Sequence, residues 1–241
     1  MPQPPSDAAA QLRILNQQIT NCFLCPRLVK HREEIGRIRR RAYRNQEYWS
    51  RPVPGFGDPG ARLLIVGLAP GAHGGNRTGR IFTGDRSGDY LFRALWEAGF
   101  ANQPQSISRE DGLTLTDAYI TAAVRCVPPD NKPNLDEIVN CRRYLLRELE
   151  LLKRVRVVVA LGNIAMNAYL AALQEQGLIR SRARFPFSHG AQFETHTGGP
   201  VLLASYHPSQ QNTSTGRLTA EMLREIFFRA KRLLAQTDPP A

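Results

Sequence analysis

The chain has 241 residues, 42% of them hydrophobic, and 32 Lys and Arg against 21 Asp and Glu give a net charge of +11. That apolar content excludes an intrinsically disordered chain, and the length suits one large domain or two small ones. No apolar run approaches the roughly 18 residues that span a bilayer, and no basic segment followed by an apolar core marks a secretion signal. The expectation is a cytoplasmic protein with reduced thiols whose basic surface suits a polyanion, nucleic acid before an anionic membrane.

After a Pro-rich start, SDAAAQLRILNQQITNC offers Ser6 or Asp7 as an N-cap and apolar residues at helical spacing, which predicts a helix ending near Cys22. The chain reads as one domain over 1–241, with 1–15 and 236–241 expected to be flexible ends. Residues 36–60, GRIRRRAYRNQEYWSRPVPGFGDPG, are basic, aromatic and rich in Pro and Gly, with no regular pattern. Four apolar, mostly β-branched runs follow: ARLLIVGLA (61–69), AYITAAVRC (118–126), VRVVVALGN (155–163) and PVLLASYH (200–207). Continuous rather than alternating hydrophobicity predicts strands covered on both faces, as in a parallel sheet. Helical patterns separate them: RSGDYLFRALWEAGF, NLDEIVNCRRYLLRELELLKR and NIAMNAYLAALQEQGL, with LTAEMLREIFFRAKRLLAQ last. This alternation predicts a three-layer α/β domain around a central parallel sheet.

Each predicted strand ends in a polar or Gly/Pro-rich signature: GLAPGAHGGN, RCVPPDNKP, LGN and YHPSQQN. Parallel strands deliver all four to one edge of the sheet, where α/β folds bind ligands. GLAPGAHGGNRTG matches neither the G-x-x-x-x-G-K-[ST] phosphate loop nor the G-x-G-x-x-G dinucleotide fingerprint. What remains is a backbone-rich turn with His73, Asn76, Arg77 and Arg80 at its rim. Phe82, in IFTGD, either stacks on a planar ligand or packs in the core. His207 leaves the last strand with Pro208 behind it, well placed to face a strand-end pocket. Ser205 and Ser209 lack the G-x-S-x-G elbow of a serine nucleophile.

Cys22 and Cys25 form a C-x-x-C pair, Cys126 ends the second predicted strand, and Cys141 lies on the helix after it. Four thiolates brought together by tertiary structure suit zinc or an iron–sulfur cluster alike. A redox pair accounts for the C-x-x-C alone and leaves Cys126 and Cys141 without a role.

GLAPG, Phe82 in IFTGD, AAVRCVPPDNKP and YHPS, with the four cysteines in this order, resemble the iron–sulfur uracil-DNA glycosylases, family 5 (type b) more closely than family 4. The resemblance runs from about Cys22 to the last helix. It implies an α/β/α sandwich with a short four-stranded parallel sheet, and one 4Fe–4S cluster on Cys22, Cys25, Cys126 and Cys141, with zinc as the alternative. It implies a DNA-repair hydrolase, a monomer acting on double- and single-stranded DNA. Such an enzyme flips uracil, and here hypoxanthine and other deaminated bases too, out of the helix and hydrolyses the N-glycosidic bond. The base pocket would comprise Gly67, Ala69, Pro70, Gly71, Phe82 and Ala122, with His207 donating to the departing base oxygen. Arg77, Arg80, Lys132 and Arg217 would hold phosphates, and the segment carrying Gln210 and Gln211 would enter the duplex.

Two positions depart from the family pattern. Ala69 stands where many relatives place the polar residue that positions water, which passes that role to Asn76 first and His73 second. Asp85 is either a further carboxylate or the cap of the next helix. Ala122 stands where family 4 enzymes place an asparagine that reads the uracil edge, and its loss predicts relaxed base discrimination. The competing reading is a non-catalytic iron–sulfur protein that binds nucleic acid.

Overall fold

The structure, a computed structural model, describes residues 7–237. Helix α1 (Asp7–Thr20) is amphipathic: Leu12, Leu15 and Ile19 recur every third or fourth residue and are buried as one stripe. Residues 7–15 are therefore not a flexible end, because Leu12 and Leu15 seat these turns on the sheet. At the other end, α8 (Ala220–Thr237) extends through 236–237. Ser6 as a cap, and the expected flexibility of 1–6 and 238–241, lie outside the described residues.

The remaining elements are α2 (Pro26–Ile38), β1 (Phe56–Gly57), β2 (Leu63–Gly67), α3 (Gly75–Thr78), α4 (Arg86–Glu97), β3 (Ala118–Ala122), α5 (Leu135–Leu151), β4 (Val157–Leu161), α6 (Asn163–Glu175), β5 (Gln192–Glu194), β6 (Val201–Ser205) and α7 (Gln210–Ser214). The sheet order is β1-β3-β2-β4-β6-β5. The four predicted strands are its parallel centre, in register from Leu63 to Ala118 on one side and Val157 on the other, and from Val157 to Val201. Two antiparallel edge strands make the sheet six-stranded and mixed rather than four-stranded and parallel. At two and three residues, β1 and β5 are too short to leave a periodic signal.

Continuous hydrophobicity in the central strands follows from their two covered faces. Leu63, Ile65, Val157 and Val159 pack with Leu91 and Phe92 of α4 and Leu223 and Phe227 of α8. Leu64, Val66, Val158 and Ala160 turn the other way, onto α1 and onto Met166, Tyr169 and Leu170 of α6. Each fully buried Leu, Val or Phe contributes roughly 1.5–3 kcal/mol of transfer free energy, so these two layers hold the fold. No helix among the described residues is long and apolar enough to cross a membrane. The carboxyl ends of the central strands share one edge, with Gly67 beside Ala122 and Leu161 beside Ser205.

Candidate active site and cysteine centre

The turn after β2 is held by its own backbone. Asn76 N–H donates to the Gly71 carbonyl at 3.0 Å, and the N–H groups of Arg77 and Thr78 both donate to Gly74 at 2.9 Å. The Asp85 carboxylate fills the space that a side chain at residue 74 would need, so only glycine fits there. Asp85 also accepts from Gly88 N–H at 3.0 Å, which makes it the cap of α4; burial raises its carboxyl pKa. Between turn and helix, Phe82 adopts φ 53°, a left-handed conformation that is strained for a bulky residue and characteristic of functional sites. Its ring lies over Gly67, where a Cβ would come within 2.7 Å of the ring edge. The same ring is 5.8 Å from the His207 imidazole, tilted by 32°.

His207 is held from both sides. Asn212 Nδ2 donates to its carbonyl at 2.8 Å, and Ser209 caps α7 by accepting from Asn212 N–H at 3.3 Å. Gly162 approaches from the end of β4, leaving room for the His207 Cβ. Burial pushes the imidazole pKa down to about 4, so the ring is neutral at neutral pH and can donate one hydrogen bond without being an acid. A cavity of about 250 Å³ opens beside it, lined by Leu68, Leu161, Phe187, Tyr206 and Arg217 among others. Tyr206 donates its N–H to His189 Nδ1 at 3.2 Å and carries the Arg217 guanidinium 4.7 Å above its ring. Sequence reasoning missed this supporting role of His189, since no periodic pattern marks its segment. The fixing of His207 by Asn212 was available only as a short polar run after HPS.

The other predicted residues fall around this edge in different ways. Ala122 is buried next to Gly67, and Pro70 packs against Gly75 near the half-buried Gly71. Ala69 packs against the apolar group of Leu28, Val124, Cys126 and Cys141. Asn76 is 1% exposed; its Nδ2 donates to the Arg32 carbonyl at 3.2 Å, while Oδ1 is buried without a hydrogen-bond partner. His73 Nδ1 lies 3.1 Å from the Tyr48 hydroxyl, and its pKa is lowered by burial and by Arg40 and Arg77. Neither Asn76 nor His73 lines the cavity at His207. Arg77 is a brace, donating to His73, Gly84 and Gln46 and lying 4.1 Å from the Tyr43 ring. Lys132, Gln210, Gln211 and Arg217 are exposed. Arg80 is the exception among the phosphate candidates: it is buried and its charge is matched by Asp111 at 2.6 Å, with Ser106 and Thr83 taking further N–H groups. That pairing withdraws Arg80 from a phosphate.

Four elements build the cysteine centre. Cys22 follows α1, Cys25 precedes α2 with Pro26 in the first helical turn, Cys126 follows β3 and Cys141 sits in α5. Arg27 of α2 grips Glu137 of α5 through two bonds of 2.8 and 2.7 Å, joining the two sides of the centre. Arg32 is fully buried and donates from Nη1 to Cys126 Sγ at 3.1 Å and to the Cys22 carbonyl at 3.2 Å. Asn140 donates to Cys25 Sγ at 3.5 Å. Burial pushes the Cys126 and Cys141 thiols up to about 11 and about 12, and mutual repulsion among the thiols adds to the rise. All four thiols are unpaired. Among the described residues no three Cys, His, Asp or Glu side chains converge closely enough to hold one metal ion.

These features define an α/β/α protein with a strand-edge site and an adjoining four-cysteine centre. Residues 54–231 match the family model described as the uracil DNA glycosylase superfamily. The chain is 56% identical to a type-5 uracil-DNA glycosylase of Thermus thermophilus, over 90% of this chain and 95% of the relative. It is 50% identical to a type-5 uracil-DNA glycosylase of Mycobacterium leprae, over 95% and 98%, and 47% identical to one of Pyrobaculum aerophilum, over 88% and 89%. The chain belongs to the uracil-DNA glycosylase superfamily, and its similarity is to the type-5 branch.

Proposed function

We propose that this chain repairs DNA by excising uracil, with relatives named type-5 uracil-DNA glycosylases at 47–56% identity as the starting point. The observation that carries the reading is His207: a neutral imidazole at the carboxyl edge of the sheet, fixed through Asn212 and set against the strained Phe82. The target nucleotide leaves the base stack, and Phe82 with the Gly67–Gly71 turn receives the base. The C1′–N1 bond breaks with its electron pair passing to the base. His207 donates to the base oxygen on which negative charge grows. Water adds to the sugar carbon, and its proton finishes on the departed base.

The water falls to Asn76 in this reading. The Arg32 carbonyl can accept only from Nδ2, which fixes the amide and leaves Oδ1 as a buried acceptor. An amide orients water and takes no proton. His73 is the second candidate, with Tyr48 as its partner. Ala122 offers no hydrogen bond to the base edge, which supports acceptance of hypoxanthine and other deaminated bases beside uracil. Arg77, Lys132 and Arg217, with Gln210 and Gln211, would meet the DNA of a monomeric cytoplasmic enzyme working on single and double strands.

Cys22, Cys25, Cys126 and Cys141 would hold a 4Fe–4S cluster. The donor set fits: all four ligands are thiols, and two receive N–H donors from Arg32 and Asn140. Zinc is the alternative occupant of the same four thiols. When bound, the cluster supplies cross-linking of the N-terminal segment to β3 and α5 and no step of the hydrolysis.

The test is incubation with duplexes containing uracil, hypoxanthine or normal bases, followed by alkaline cleavage of abasic sites. Strand breaks at uracil and hypoxanthine are expected. Breaks at uracil alone remove the relaxed specificity, and binding without any breaks makes the chain a non-catalytic DNA binder.

A further inference from the structure

Two cavities meet at Trp49, outside the strand-edge site. The first is about 580 Å³ and the second about 480 Å³; both are lined by Trp49, Arg51 and Arg109. The indole is fixed, its Nε1 donating to the Pro52 carbonyl at 3.1 Å. Arg109 and Arg51 place their guanidinium groups 4.5 and 5.8 Å from the indole ring centre. Both arginines are exposed and neither makes an ion pair among the described residues. Arg80, which also lines the first cavity, has Asp111 instead and lies 5.0 Å from the Phe56 ring.

The lining of the first cavity holds three arginines and no carboxylate, and side-chain amides of Asn16, Gln17 and Asn21 complete its rim. The second carries Glu47 and Glu110 beside Arg51, Arg77 and Arg109, and so keeps a positive excess. It also reaches Arg77 and Thr78 of α3, next to Asn76. The cavities thus form a trough that leaves the catalytic turn and passes over Trp49 toward the end of α1.

We infer that this trough binds a single-stranded segment of DNA, with bases stacking on the Trp49–Arg layer and phosphates on Arg51 and Arg109. Planar aromatic and guanidinium groups in a cationic groove suit unstacked bases, which a closed duplex does not offer. The amide rim allows edge contacts with any base. This inference rests on DNA being the substrate, and it adds a second contact region along an unpaired strand, away from the base pocket.

The test uses the intact, cluster-loaded protein carrying Trp96→Phe, which leaves Trp49 as the one remaining tryptophan. An undamaged single strand of about ten nucleotides is titrated against it, with a blunt duplex of equal length in parallel. Quenching of Trp49 by the single strand is expected. Trp49→Ala should weaken single-strand binding roughly 5- to 100-fold, and Trp49→Phe should largely restore it. Arg51→Gln with Arg109→Gln should flatten the slope of log Kd against log salt by about 1.4, the share of two phosphates on a single strand. Unchanged single-strand affinity and no quenching overturn the inference. Equal losses on single strand and duplex also overturn it, by making the trough a duplex contact. Uracil release is read alongside: its absence with quenching intact refutes the enzymatic reading and leaves the trough standing, whereas normal release with unchanged binding refutes the trough alone.

Discussion

Asn76 donates from Nδ2 to the main-chain carbonyl of Arg32 at 3.2 Å, and the Arg32 side chain reaches Cys126 Sγ at 3.1 Å. One residue of α2 therefore touches both the turn proposed to hold water and the cysteine centre. Gly36, one helical turn on, lies close against Ser50, and Ser50 N–H donates to the Asn76 carbonyl at 3.0 Å. The turn is thus fixed from outside the sheet, by a helix that the cysteines anchor. On this arrangement Asn76→Ala should slow single-turnover release of uracil about 100-fold, the usual cost of misplacing a reactant. DNA affinity should be nearly unchanged. A loss confined to binding would reassign Asn76 to DNA contact.

His207→Ala should reduce the single-turnover rate by about 100-fold or more, since it removes a preorganised donor from the developing anion. Near-normal cleavage would take His207 out of the mechanism.

The same imidazole makes stability depend on pH. Its ordinary pKa of 6.5 is lowered to about 4 in the folded chain, so between these values the unfolded chain binds the extra proton. Its contribution is fully present above pH 6.5 and is lost as pH falls from 6.5 toward 4. Urea midpoints of the parent should decline across this window more steeply than those of His207→Gln. Parallel declines would show that the ring is not held neutral by burial.

Iron analysis and visible absorbance should report about four iron atoms per chain. Cys126→Ser should abolish them, and Arg32→Leu, which removes an N–H···S donor, should lower retention against a chelator about 10- to 100-fold. One zinc per chain with no visible absorbance would establish zinc as the metal.

Arg125 and Glu148 form a fully buried ion pair beside the cysteine centre, with Thr121 donating to the same carboxylate. Glu148→Ala strands the Arg125 charge and should cost about 3–5 kcal/mol in urea unfolding. A loss below 1 kcal/mol would mean that water reaches Arg125.

Much of this was legible in the chain. Four continuous apolar runs with no polar alternation required strands covered twice, and the polar strand ends required one shared edge. That pattern places His207 and the turn after β2 at the shared edge, where the fold has them. The cysteine order was legible as a candidate thiol site whose halves lie more than a hundred residues apart in sequence. Edge strands β1 and β5 were not, because two or three residues carry no period. Arg80 looked like every other surface arginine, for nothing in RTGRIF announces that Asp111 lies across from it.

The sequence by itself determined the layered fold and the sheet edge at which the polar strand ends meet, because these follow from hydrophobic period and strand direction. Only the tertiary structure decided which polar groups are spent and which are available. Arg80 is neutralised by Asp111, Asp85 caps α4, and Asn76 is aimed by the Arg32 carbonyl, whereas Arg51 and Arg109 lie near the Trp49 indole with no ion pair among the described residues. Hydrogen bonds and ion pairs act over a few ångströms between residues distant in the chain, so a local pattern does not encode them.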